Sequence, residues 1–277
     1  MHAILSMAAA HLKATHAVDQ NYTERELQHQ SAAIKGLRST LAGGVTKENS
    51  DAIFASSLLL YHHAWTTVDD DNSSFTVNLP CSLIDLIPIG TCIKGMVMET
   101  GLLRTSMWQE AVAYSPRIAL MLCVQHTTVP QELEEAFKKQ YLLVRPDELD
   151  SWQYEAFMAE CRRLIPVMSV LKLRDRGLLD IAPITTSIVR YLFTWPVLLA
   201  EGFFEMERQE DSLARLALLH FFTAVAKSGI ESMWWARQRT RFTLDRISRD
   251  FDESGLQVLD MFASPHAPGE QCDIVQI

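Results

Sequence analysis

Three groups of side chains could carry chemistry. Asp69-Asp70-Asp71 offers hard carboxylate oxygens, the ligand type that Mg²⁺ prefers, and resembles half of the aspartate-rich motif that holds Mg²⁺ and diphosphate in terpene cyclases. A D-D-x-x-D spacing needs an acid at position 73, where Ser73 stands, and no second metal motif follows. The run therefore reads as a solvated turn. His62 and His63 are adjacent on a helix-patterned segment, so they diverge by about 100° and cannot readily share one metal. One of them can face a pocket as acid, base or hydrogen-bond donor. His220 lies in the apolar run Leu216 to Ala226 and is the best single polar candidate inside a lipophilic cavity, though a core histidine with its bonds satisfied is the plainer reading.

Aromatic residues form a second set. Tyr61, Trp65, Trp195, Phe221, Trp234 and Trp235, with His220, are the candidate lining of a pocket for an apolar ligand, and equally a candidate core. Arg237, Arg239 and Arg241 spread around their helix and read as a solvated face. Asp250-Phe251-Asp252-Glu253 reads as an exposed helix end. No nucleophile elbow, phosphate loop, zinc-protease motif or dinucleotide fingerprint is present, and neither cofactor nor metal is expected.

The elements that must position these groups are helices. Leu27, Ile34, Leu37 and Leu41 recur at helical spacing behind a candidate capping box, Thr23-x-x-Glu26, and Gly43-Gly44 should end that helix. A second helix should begin near Asn49 to Asp51 and reach Trp65 with Ile53, Phe54, Leu58, Tyr61 and Trp65 on its main face. The uncharged stretch Ala52 to Val68 contains two Ser, two Thr and two His, so it is read as core and not as a membrane span. Pro88, Gly90 and Gly95 predict a broken helix between Pro80 and Thr100, with close approach of another backbone or a ligand. Helices over 130–145 and 147–163 look polar and peripheral, and Arg174-Asp175-Arg176-Gly177 reads as a charged turn. Pro183 should open the next helix, Leu213 to Ala226 should be a buried central one, and Trp234 to Asp250 an amphipathic basic one.

No strand pairs or repeats emerge, so the expected fold is all-α: a single multi-helix bundle over residues 1–263 with a hydrophobic central cavity, and a loosely ordered tail over 264–277. The 277 residues suffice for a large core, and 48% apolar with 21% charged residues is an ordinary globular composition. A net charge of −9 argues against direct nucleic-acid binding, which needs a basic face for the phosphates. The cysteines Cys81, Cys92, Cys123, Cys161 and Cys272 are odd in number and nowhere form C-x-x-C, which fits reduced thiols in the nucleus or cytoplasm. Met1 to Leu12 reads as the middle of a core helix, from which an upstream segment is expected.

Four stretches carry a resemblance. They are His2-Ala3-Ile4-Leu5-Ser6-Met7-Ala8-Ala9-Ala10-His11-Leu12, then His29 to Leu37, then Asn49 to Leu60, and finally Phe193-Thr194-Trp195-Pro196 taken with Trp234-Trp235 and the arginines that follow. Together they resemble the C-terminal regulatory domain of fungal zinc-cluster (Zn2Cys6) transcription factors, in particular the sterol-uptake-control branch, over roughly residues 1–250. The resemblance implies a helical bundle that senses a sterol or other lipophilic small molecule and forms a homodimer or joins a partner regulator. The six-cysteine cluster of that family is absent from these residues, so DNA binding does not carry over. The alternative function is a stand-alone enzyme on the same fold, a cyclase or pericyclase of fungal natural-product biosynthesis. Its catalytic groups would come from His62, His63, His220 and Asp69 to Asp71.

Overall fold

The computed structural model describes residues 1–15, 20–66, 90, 93–95, 108–109, 115–146, 151–229 and 233–254. Asp69, Asp70 and Asp71, Pro88 and the tail over 264–277 lie outside the described residues. The fold is all-α. The helices are α1 His2–Thr15, α2 Gln20–Ala42, α3 Ser50–Thr66, α4 Pro116–Val124, α5 Val129–Val144, α6 Trp152–Asp175, α7 Thr185–Thr194, α8 Glu201–Arg208, α9 Ser212–Lys227 and α10 Trp234–Ser254. Short 3₁₀ turns at Ala182–Ile184 and Pro196–Leu198 flank α7. The chain divides into two compact units, one of residues 1–115, 193–199 and 229–246, the other of 116–192, 200–228 and 247–277.

In the first unit α1, α2 and α3 pack on one another. The seam between them is made of small residues: α1 buries Ala3, Ser6, Ala9 and Ala10, and Ala3 meets Ala33 of α2 and Leu60 of α3. Short side chains let helix axes approach closely, and the larger residues are left outside. Ile4 is 55% exposed and Leu5 39%, so α1 is a packed helix whose buried face is its small-residue face. The same correction applies to α2. Leu27 is 56% exposed and Ile34 39%, while Glu26 and Ala33 are buried. Helix α2 starts at Gln20, which places Thr23 inside the helix and turns Glu26 to ion pairing instead of capping. Its end is as expected: Gly43 N–H bonds the Ser39 and Thr40 carbonyls, and Gly44 adopts φ +92°, open only to a residue without Cβ strain.

Helix α3 runs as the pattern predicts and buries Ile53, Phe54, Leu60, Tyr61 and Trp65. Gly90, one of the positions singled out between 88 and 95, makes a close approach. A Cβ there would stand 3.3 Å from Val197 Cα.

The second unit is organised by α6, which packs against α4, α5, α8 and α9. Sequence reading made residues 147–163 a peripheral helix, yet α6 continues to Asp175 and buries an unbroken run from Leu164 to Leu173. Pro166 removes one N–H from that run, but burial of the surrounding apolar side chains outweighs a single lost hydrogen bond. Ser151 caps it by accepting from Tyr154 N–H at 3.2 Å, and Gly177, at φ +72°, closes the charged turn. Helix α9 is capped by Asp211, which accepts from Leu213 N–H at 2.9 Å and pairs with Arg145 at 2.7 Å. As expected, α9 is buried on nearly every face.

Candidate functional site

Helix α3 brings the aromatic candidates together inside the first unit. Tyr61, His62 and Trp65 occupy its last turns, where the absence of charge lets every face be covered. The Tyr61 hydroxyl donates to the Phe193 carbonyl at 3.0 Å, and burial raises its pKa. Phe193 packs against Trp65 (ring centroids 5.2 Å apart) and Trp235 (4.4 Å). Trp65 and Trp235 meet edge-on at 6.2 Å. His62 lies against this group, stacked on Phe193 at 5.6 Å and edge-on to Trp235 at 5.0 Å.

The protonation of His62 follows from its surroundings. Nδ1 stands 2.7 Å from the Leu58 carbonyl, an acceptor only, so Nδ1 carries the hydrogen and donates it. Desolvation lowers the pKa of this ring and outweighs the carbonyl bond, which favours protonation. The ring is therefore neutral at pH 7 with its lone pair on Nε2. The result is a cluster of four aromatic rings and one neutral imidazole, drawn from α3, the end of α7 and the start of α10. It can present flat apolar area and one hydrogen-bond acceptor. Trp195, also in this unit, is almost fully buried.

His63 points elsewhere, as adjacency on a helix requires. Its Nε2 sits 3.0 Å from Glu26 Oε1, and Lys13 reaches the other oxygen of Glu26 at 3.3 Å. Burial acts to raise the pKa of Glu26, but the His63 hydrogen bond and the Lys13 charge outweigh it and hold the carboxyl below its usual value. This trio, in which His63 and Glu26 are buried and Lys13 is exposed, ties α1, α2 and α3 together. Arg239, read from the sequence as part of a solvated face, is buried and donates to the Ala64 carbonyl at 2.8 Å. A cation on a C-terminal carbonyl suits the helix dipole of α3. Arg237 and Arg241 are exposed, as expected.

The remaining candidates do not join the ring cluster. His220 and Phe221 belong to the second unit. His220 is 3% exposed, has Phe137 edge-on at 5.2 Å, and is held neutral by burial, its pKa lowered to about 4. Its Nε2 has no hydrogen-bond partner among the described residues. Adjacent tryptophans are split: Trp235 enters the ring cluster, while Trp234 contacts His11 at 4.8 Å. Among the described residues no three His, Cys, Asp or Glu side chains gather as metal ligands. Cys123 and Cys161 are free thiols, and burial raises both pKa values, which keeps them protonated and unreactive.

The decisive comparison concerns the N-terminal part of the chain. A family model of the fungal specific transcription factor domain matches residues 1–171. The chain belongs to that family. Its role is accordingly regulatory. No curated protein matches the chain. The matched stretch of this fungal transcription factor domain spans α1 to α5 and most of α6, whereas Phe193, Trp195, Trp234 and Trp235 lie beyond it.

Sequence reading missed Phe193, Glu26 and Arg239. Phe193 stood in plain view within Phe193-Thr194-Trp195-Pro196, where the neighbouring tryptophan drew attention from it. Patterning assigns Glu26 to a capping box and Arg239 to a solvated face, and only their partners on other helices account for their burial. No described helix is long and apolar enough to cross a membrane.

Proposed function

We propose that this transcription factor domain senses a lipophilic small molecule of sterol type, and that the ring cluster of Tyr61, His62, Trp65, Phe193 and Trp235 is where the ligand acts. The observation that carries the reading is the neutral His62 among those rings. A binding site for an apolar ligand needs much aromatic area and few polar groups of fixed orientation. Here the Leu58 carbonyl fixes the imidazole and leaves Nε2 as an acceptor suited to a single ligand hydroxyl. Ligand would shift the protein between conformations through its differential affinity for them. The regulator works in the nucleus or cytoplasm, as a homodimer or with a second regulator, and these residues do not themselves contact DNA.

Native mass spectrometry of the purified chain, followed by titration with ergosterol, tests the proposal. We expect a bound apolar molecule released unchanged. Phe193→Ala with Trp235→Ala should weaken the titrated sterol at least tenfold while helical circular dichroism persists. Failure of the sterol and of co-purifying apolar molecules to bind would refute it.

A second reading, a cyclase or pericyclase, is favoured by His220, a buried neutral base whose Nε2 lacks a hydrogen-bond partner among the described residues. It requires multiple turnover of a lipophilic precursor by pure protein and loss of turnover in a folded His220→Ala variant.

A further inference from the structure

The first unit carries a groove of a different chemistry. It has a volume of about 410 Å³ and is lined by Ala14 of α1 and by Trp234, Arg237, Gln238, Arg241 and Phe242 of α10. The α10 positions follow the i, i+3, i+4, i+7, i+8 spacing of one helix face, so a single stripe presents them all. Trp234 at one end and Phe242 at the other are aromatic, and two guanidinium groups with a carboxamide stand between them. In a chain with 34 acidic against 25 basic side chains, no carboxylate is among the described residues that line this groove.

From this lining we infer a binding site for a small organic oxyanion with an apolar body. Each guanidinium is a planar fork that can take a carboxylate or phosphate oxygen pair in charge-assisted hydrogen bonds, and two of them lie four residues apart on one helix face. The indole and phenyl rings supply the apolar contact that an inorganic anion cannot use. The volume falls in the range of small-molecule sites and is too small for a folded partner. Trp234 serves this groove and Trp235 the ring cluster, so the adjacent tryptophans divide between an anionic and a neutral ligand chemistry. The inference is independent of the sterol reading, since it involves none of the residues assigned to that ligand.

Calorimetric titration of the full chain with decanoate, decyl phosphate, decanol and inorganic phosphate tests it. Decanoate or decyl phosphate should bind, whichever is tighter naming the head group, and affinity should fall as NaCl is raised. Combined Arg237→Gln and Arg241→Gln should weaken that ligand at least tenfold and leave any decanol binding unchanged. Both arginines are exposed, and helical circular dichroism of the variant checks that it is folded. Ala14→Trp fills the groove from the other helix and should weaken the same ligand without touching either charge. Equal binding of decanol and decanoate would overturn the proposal. So would full affinity in either variant, or binding of inorganic phosphate alone, which would mark an adventitious ion only.

Discussion

At the scale of single residues, histidines separate by environment although they look alike in the chain. His220 is buried among apolar side chains and neutral, with its pKa lowered to about 4. In the unfolded chain the ring titrates near 6.5, so between these values the unfolded state binds the extra proton. Its contribution to stability is complete above about pH 6.5 and is lost as pH falls toward 4, at about 1.4 kcal/mol per pH unit and about 3 kcal/mol in total. Thermal unfolding followed from pH 7 to 4.5 should therefore show a steeper loss in the native chain than in His220→Phe, which cannot titrate there. Equal slopes would show that His220 does not set this dependence. Glu26 acts lower on the scale. Its depressed pKa adds stability that is present above the ordinary glutamate range and disappears as pH falls below it.

At the scale of elements, caps and side-chain size decide where helices start and how they meet. Asp211 serves α9 twice, as N-cap to Leu213 and as partner of Arg145. Asp211→Ala removes both and should cost about 2 kcal/mol, whereas Asp211→Asn keeps the cap acceptor and should lose about half as much. Urea denaturation of both variants measures the difference, and identical losses would mean the cap contributes nothing. Helix α3 and helix α9 were legible in the sequence because unbroken apolar runs leave few alternatives to burial. Helix α6 was not. Its first half carries Glu155, Glu160, Arg162 and Arg163, which patterning places at the surface. Glu160 is buried because Arg163 pairs with it at 3.0 Å and the Ala200 N–H donates to it at 2.9 Å, partners supplied in part by a distant segment.

At the scale of the whole molecule, burial is concentrated in few elements. Helices α6 and α9 bury most of their lengths, whereas α2 exposes most of its residues. Hydrogen exchange should therefore be slowest at the amides of α6 and α9 and measurably faster along α2, since local opening of a thinly packed helix exposes little apolar surface. Uniform protection across the three helices would contradict this distribution.

The sequence by itself determined that the chain is helical, where most helices lie, that His62 and His63 diverge, and which family it resembles. Those properties depend on spacing along one element, and spacing is written in the chain. The tertiary structure decided which helix faces are buried, that Phe193 completes the ring cluster, that Glu26 and Arg239 turn inward, and that Trp234 and Trp235 part company. Each of those outcomes depends on a partner more than 20 residues away, and the free energy of burying a small alanine seam or a paired charge exists only once that partner is in place.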